Sequence, residues 1–184
     1  DKFVEVRMSG KPTLVKRENV NYMEVAGNQP FSVATSLIPF VENDDANRAL
    51  MGSNMQKQAV PLVVPEAPVV ATGVEAVAAR DSGRLVLAAE AGEVSYADAQ
   101  TIKVKNADGK TKEYNLVNFM RTNGFTTFHQ RPAVAVGDSV KKGTVLADTS
   151  TSAGGQMAIG QNVRVAFLPW FGANFEDAIV ISER

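Results

Sequence analysis

Alternation of apolar and polar residues dominates this chain, with helical spacing confined to one early region. Phe3, Val4 and Val6 precede a Ser9-Gly10-Lys11-Pro12 turn, and Leu14 and Val15 follow it. Val20, Tyr22 and Val25 continue part of a period-two pattern, so residues 1–30 read as an extended lead-in. Gly27-Asn28-Gln29-Pro30 breaks the chain, and Pro30 suits the first turn of a helix. Phe31, Ala34, Leu37 and Ile38 then fall at helical spacing until Pro39 stops the run. Asp44 or Asp45 is a natural N-cap for a second helix. On it Ala46, Leu50, Asn54 and Gln58 share one stripe, Met51, Met55 and Ala59 the next, and Pro61 ends it.

Residues 63–165 read as a separate β-rich module. Prolines make 61–68 an extended connector, and everything from Val69 to Val165 reads as strand and turn. Arg84 to Ala89 is a strand candidate turned by Ala91-Gly92, and Thr101-Ile102-Lys103-Val104-Lys105 alternates cleanly. Asn106-Ala107-Asp108-Gly109 is a hairpin turn, after which Thr111 to Leu116 returns. Val134 to Ala147 reads as three short strands cornered by Gly137 and Gly143, and Ser150 to Gly155 as a polar loop. Asn162 to Leu168 and Ala178 to Ile181 read as further strands. The expected fold class is mainly β with short helices (α+β), the module being a small barrel or sandwich.

Composition narrows the class. The chain has 184 residues, 45% of them hydrophobic and 21% charged, as in an ordinary globular protein. No apolar run is long enough to span a membrane. Cysteine is absent, which excludes disulfides and thiolate metal sites. A net charge of −1, with scattered Lys and Arg, leaves any nucleic-acid role to a few placed residues or to a larger assembly. The chain opens on Asp1 and closes directly after an apolar run, so a piece of a longer protein is expected.

Little of the usual catalytic equipment is present. His129 is the single histidine and has no partner at ligand spacing. Ser53 lies in Gly52-Ser53-Asn54, outside any nucleophile-elbow pattern. Three features carry more. Arg48 offers a fixed fork of donors suited to triphosphate oxygens, although it could equally pair with Asp44 or Asp45. Asn54 and Gln58 can hydrogen-bond to backbone, sugar hydroxyls or bases, or cap loops in the core. Glu176-Asp177, between an aromatic run and an apolar one, is either a plain turn or a place where carboxylates approach a divalent metal. Gly52 within the second helix costs about 1 kcal/mol relative to alanine.

The run from Asn43 to Pro61, with Asp44-Asp45-Ala46-Asn47-Arg48-Ala49-Leu50-Met51-Gly52-Ser53-Asn54-Met55-Gln56 at its centre, resembles a signature of the bacterial RNA polymerase β-subunit family. Pro169-Trp170-Phe171-Gly172-Ala173-Asn174-Phe175-Glu176-Asp177-Ala178-Ile179 resembles a second, in the same chain order. The resemblance covers roughly residues 20–184, is loosest from Val63 to Val163, and implies a division of the chain. Residues 31–62 and 166–184 would belong to a double-psi β-barrel core, interrupted at 63–165 by a barrel-sandwich-hybrid-like module. It implies template-directed nucleotidyl transfer, with Arg48, Asn54 and Gln58 binding nucleotide or RNA. Glu176 and Asp177 would be the catalytic carboxylates, Asp177 reaching the second, nucleotide-borne Mg²⁺ through water. The magnesium would be held mainly by the partner β′ subunit, whose aspartate loop lies elsewhere, so this chain alone is expected to be inactive. Implied partners are β′, the α subunits, the remaining polymerase, DNA template, RNA and nucleoside triphosphates, without membrane, in a nucleoid-associated cytoplasmic setting.

Two other readings stand beside it. Gly137-Asp138-x-Val140-x-x-Gly143 resembles the hammerhead of biotinyl and lipoyl carrier domains, but the modified-lysine tripeptide is missing. A non-catalytic carrier-like or structural interaction module is therefore the alternative.

Overall fold

The computed structural model describes residues 2–183, which group into two compact units: Asp1–Gln58 with Ala71–Val74, and Ala59–Val70 with Glu75–Arg184.

The first unit opens with an antiparallel ribbon of β1 (Phe3–Met8) and β2 (Lys11–Lys16), in register Phe3↔Lys16 to Met8↔Lys11. The expected Ser9-Gly10 turn joins them, both residues at positive φ. Val20, Tyr22 and Val25 form no strand, because nothing among the described residues pairs with them. Helix α1 (Val33–Ser36) is capped by Ser32, whose hydroxyl accepts the Thr35 N–H at 3.2 Å. Helix α2 (Ala46–Gln56) lies against α1.

In the second unit a helix that the alternation pattern did not announce, α3 (Val74–Asp81), precedes the strands. Val74, Val77 and Ala78 gave it a helical spacing too short to stand out from the surrounding valines. The strands are β3 (Val86–Leu87), β4 (Gly92–Ala97), β5 (Thr101–Lys105), β6 (Thr111–Asn115), β7 (Met120–Arg121), β8 (Thr127–Phe128), β9 (Gln130–Pro132), β10 (Ser139–Val140), β11 (Val145–Thr149), β12 (Ser152–Ala153) and β13 (Gln156–Met157). They form a four-stranded sheet in order β10-β4-β5-β6, a three-stranded sheet β3-β11-β9, and the ribbons β7-β8 and β12-β13. All pairings are antiparallel, and none of these sheets closes into a barrel.

The core joins the two larger sheets. Val94, Ile102 and Leu146 are completely buried, with Val104, Val140 and Ala147 around them. Burial of each such side chain contributes roughly 1.5–3 kcal/mol. Gly92 is required by crowding: a Cβ there would run into the Lys105 carbonyl and lie 2.9 Å from Val104 Cγ1. The corner glycines Gly137 and Gly143 do take positive φ, at 94° and 85°. The polar 150–155 loop is tighter than expected. It includes β12 and turns into β13, and is held by Asp148, whose carboxylate accepts from Ser152 Oγ and from the Gly154 and Gly155 N–H groups at 2.9–3.0 Å.

Four expected strands are absent or shortened. Arg84–Ala89 yields only the two residues of β3, and Val134–Val136 form none. Residues 161–183 contain no strand at all, although Val163, Val165, Phe167, Ile179 and Ile181 alternate as strand residues do. A strand needs a neighbour to accept its ladder bonds, and these segments have none among the described residues.

The module is entered and left at one place. Glu66 and Gly160 bridge antiparallel, and Asn162 ties the crossing. Its Oδ1 accepts the Val69 N–H at 3.1 Å, and its Nδ2 donates to Glu66 Oε2 at 3.2 Å and to the Ala67 carbonyl at 2.9 Å. Gln161 Nε2 donates to the Val64 carbonyl, and Arg131 to that of Val63.

Two stability predictions follow from these contacts. Asn162→Ala removes three side-chain hydrogen bonds from an exposed crossing and is expected to cost about 1–3 kcal/mol in urea unfolding, without change in m. The second concerns Asp98 at the β4–β5 turn. Its carboxyl titrates below the usual carboxylate range, chiefly because the Gln100 N–H donates to it at 2.8 Å, then through the Tyr96 hydroxyl at 2.8 Å and the Thr101 N–H. The folded state therefore holds the ionised form more strongly than the unfolded chain does. That stabilisation is complete above the unfolded carboxylate pKa of about 3.9 and fades as pH falls through the lower folded value. Asp98→Asn should flatten the loss of stability on acidification below about pH 4, as read by urea midpoints across that window.

Candidate functional site

Helix α2 starts where its sequence says it should. Asp45 stands in extended backbone before it, and Oδ2 accepts the Asn47 N–H at 3.0 Å. Asp45 is thereby the cap, and no carboxylate lies within 4.0 Å of Arg48 among the described residues. The surface ion pair that would have explained Arg48 without a function is not formed. Its Nη1 instead approaches Met51 Sδ at 3.8 Å, and the side chain is exposed.

The helix is inverted relative to an ordinary amphipathic one. Its inward face carries Ala49, Gly52, Ser53 and Gln56, with Gln56 Nε2 donating to the Ala34 carbonyl at 3.0 Å. Its outward face carries Leu50, Met51 and Met55, exposed by 61%, 47% and 65%. A helix stabilised only by its own unit would turn those three inward. Asn54 stands on this outward face, and its side chain bonds to nothing among the described residues. The helix ends at Gln56 with Lys57 as C-cap, so Gln58 lies beyond it rather than one helical turn along the Asn54 stripe. Gln58 is exposed as well, its N–H donating to the Met55 carbonyl. Neither amide caps a loop in the core.

Glu176 and Asp177 occupy a turn, not the strand edge expected for them. The Ala178 N–H donates to the Phe175 carbonyl at 3.2 Å, and Glu176 sits at the first corner with φ 57°. That position ordinarily falls to glycine. A non-glycine residue there costs roughly 1–2 kcal/mol, and such strain concentrates at functional sites. Just upstream, the Ala173 N–H donates to the Trp170 carbonyl, with Phe171 and Gly172 at φ 48° and 75°. Asn174, which sequence reasoning passed over, braces the upstream turn and directly precedes the second. Its Oδ1 accepts the Trp170 N–H and its Nδ2 donates to the Leu168 carbonyl, both at 2.8 Å. Its only sequence signal was an asparagine two residues after a glycine in an aromatic run.

Arg48, Asn54 and Gln58 belong to the first unit, and Glu176 and Asp177 to the second. Among the described residues no three His, Cys, Asp or Glu side chains converge. The adjacent Glu176 and Asp177 carboxylates suit a share of a Mg²⁺ shell completed by substrate phosphates and water, and do not suffice to hold an ion alone. His129 proves structural: its Nδ1 lies 3.3 Å from Ser150 Oγ, its ring stacks on Phe119 at 5.7 Å, and Ser150 is 1% exposed. No helix among the described residues is long and apolar enough to cross a membrane.

Residues 87–184 match the family described as RNA polymerase Rpb2, domain 6. The chain is 54% identical over 181 residues to the DNA-directed RNA polymerase subunit beta of Thermosynechococcus vestitus, covering 98% of this chain and 16% of that one. It is 53% identical to the same subunit of Syntrophomonas wolfei, with the same coverage, and 52% identical over 188 residues to that of Chloroflexus aggregans, covering 100% of this chain and 15% of the relative. The chain thus spans about one sixth of the length of these relatives, 16%, 16% and 15%.

Gly52 supplies a test of what shaped α2. A Cβ there would meet only Ile38 Cδ1, at an ordinary 3.7 Å. Gly52→Ala is therefore expected to raise the stability of this chain by about 1 kcal/mol in chemical unfolding, the helix-propensity difference. A loss of stability would mean that the inward face of α2 needs the glycine.

Proposed function

The chain belongs to the RNA polymerase β-subunit family, and we propose that it lines the active centre of a DNA-directed RNA polymerase, which adds ribonucleoside triphosphates to an RNA 3′ end on a DNA template. The observation that carries this reading is Arg48, exposed and, among the described residues, without a carboxylate partner, on a helix face that also exposes Leu50, Met51, Asn54 and Met55. Arg48 receives the triphosphate of the incoming nucleotide through charge-assisted hydrogen bonds. Asn54 and Gln58 offer donors and acceptors to sugar hydroxyls, bases or RNA backbone. Asp177, with Glu176 beside it, faces the metal carried in by the nucleotide, through water. Magnesium, when bound, would align the attacking 3′ oxygen with the leaving pyrophosphate and offset phosphate charge.

The unpaired alternating segments 162–168 and 178–182 fit a β-barrel completed by chain or subunits outside the described residues. A double-psi barrel facing the β′ subunit is the architecture we propose for them. In this reading the catalytic magnesium is held mainly by β′, with Asp177 reaching the nucleotide-borne ion through water. The working protein is then the assembly of this subunit with β′, the α subunits, DNA and RNA, in the nucleoid-associated cytoplasm, and the isolated chain is inactive.

Substitution in the full enzyme tests the site from both sides. Arg48→Ala should lower kcat/KM for nucleoside triphosphates roughly tenfold to hundredfold, the equivalent of about 1.5–3 kcal/mol for charge-assisted bonds. The loss should be smaller with a diphosphate substrate. Equal losses for both substrates would make Arg48 structural. Asp177→Ala should raise the magnesium concentration at half-maximal single-nucleotide addition. An unmoved midpoint accompanied by a lower Tm would remove the carboxylate from the reaction.

A further inference from the structure

From residue 161 to residue 183 every residue except Asn174 is exposed. No core therefore holds the Trp170–Ala178 segment in shape, and local hydrogen bonds must. The bonds present are two turn closures and the two bonds of the Asn174 side chain. The turns alone are poor at the task. Each has a non-glycine residue at positive φ on its first corner, Phe171 at 48° and Glu176 at 57°. Left alone, both corners would relax to ordinary backbone. Asn174 stands between them. Its amide spans back six residues to the Leu168 carbonyl and four to the Trp170 N–H, using one donor and the acceptor together.

We propose that Asn174 is a positioning residue for the Glu176–Asp177 pair: its amide locks the upstream turn, and that lock holds the following corner in the strained form that presents both carboxylates. This inference rests on the reading of that pair as facing the nucleotide-borne metal. Asn174 touches neither substrate nor metal in it and acts only through the backbone. An asparagine fits because a carboxylate would repel the Leu168 carbonyl, and an aliphatic side chain would leave both bonds unmade.

The experiment uses the full polymerase carrying Asn174→Ala, Asn174→Asp, Asp177→Ala, or Asn174→Ala with Asp177→Ala. Two quantities are read: hydrogen exchange of the peptide spanning 168–178, and the magnesium midpoint of single-nucleotide addition. Asn174→Ala should speed exchange at the Trp170 amide and raise the midpoint by up to roughly tenfold, the low end for loss of an outer support to a metal ligand. Asn174→Asp keeps the acceptor for Trp170 and should shift the midpoint less. The double variant should match Asp177→Ala alone, because without the carboxylate there is nothing left for Asn174 to position. Faster exchange with an unmoved midpoint in Asn174→Ala, or shifts that simply add in the double variant, would overturn the proposal. So would failure of both Asn174 variants to assemble where Asp177→Ala assembles. If Asp177→Ala itself leaves the midpoint unmoved, the reading of the carboxylate pair falls and this inference with it. If only Asn174→Ala does so, the reading of the pair stands.

Discussion

The crossing of residues 63–69 with 160–162 is the constraint on which the second unit depends. Some 90 residues of β structure leave the main course of the chain after the α2 motif and must return before the Trp170–Asp177 motif. The Glu66–Gly160 bridge and the three side-chain bonds of Asn162 bring both ends of that excursion together. Prolines at 61, 65 and 68 favour an extended connector and remove backbone donors that would otherwise compete. The module's core is centred on Val94, Ile102 and Leu146.

The candidate site residues share a physical property: they lie on surfaces that this chain does not use. Helix α2 buries Ala49, Gly52 and Ser53 and shows leucine and methionine to solvent. The segment 163–181 shows Phe167, Trp170, Phe171 and Ile181 without a strand partner. Exposed apolar area on this scale marks a surface meant for other macromolecules. Exposed apolar residues also occur elsewhere, at Tyr22, Met23 and Val25 in the first unit and at Phe119, Phe125 and Val136 in the second.

Non-glycine residues at positive φ occur in both units, Ser9 and Phe40 in the first and Phe119, Phe125, Phe171 and Glu176 in the second. The corner glycines of the module lie at positive φ without cost, at Gly109, Gly137 and Gly143. In the second signature the same backbone region is taken by Phe171 and Glu176, which tolerate it poorly. A carboxylate fixed in a sparsely populated conformation loses less freedom when a charged ligand arrives.

Much of this was legible in the chain itself. Residues close in sequence decided the Ser9-Gly10 hairpin, the Asp45 cap, the Asn106–Gly109 turn and the corner glycines, because each depends on φ preferences or on a bond spanning a few residues. The two signatures likewise disclosed family and candidate side chains. Only the tertiary structure decided which face of α2 is buried, since a helix of small, polar and apolar stripes has no unique inside until α1 covers one of them. Only it could show that Glu176 and Asp177 turn a corner, that Asn174 holds the loop before them, and that 162–168 stays unpaired. Alternation reports that a segment could be half-buried, but a strand exists only where another backbone meets it, and that meeting is not written in the segment.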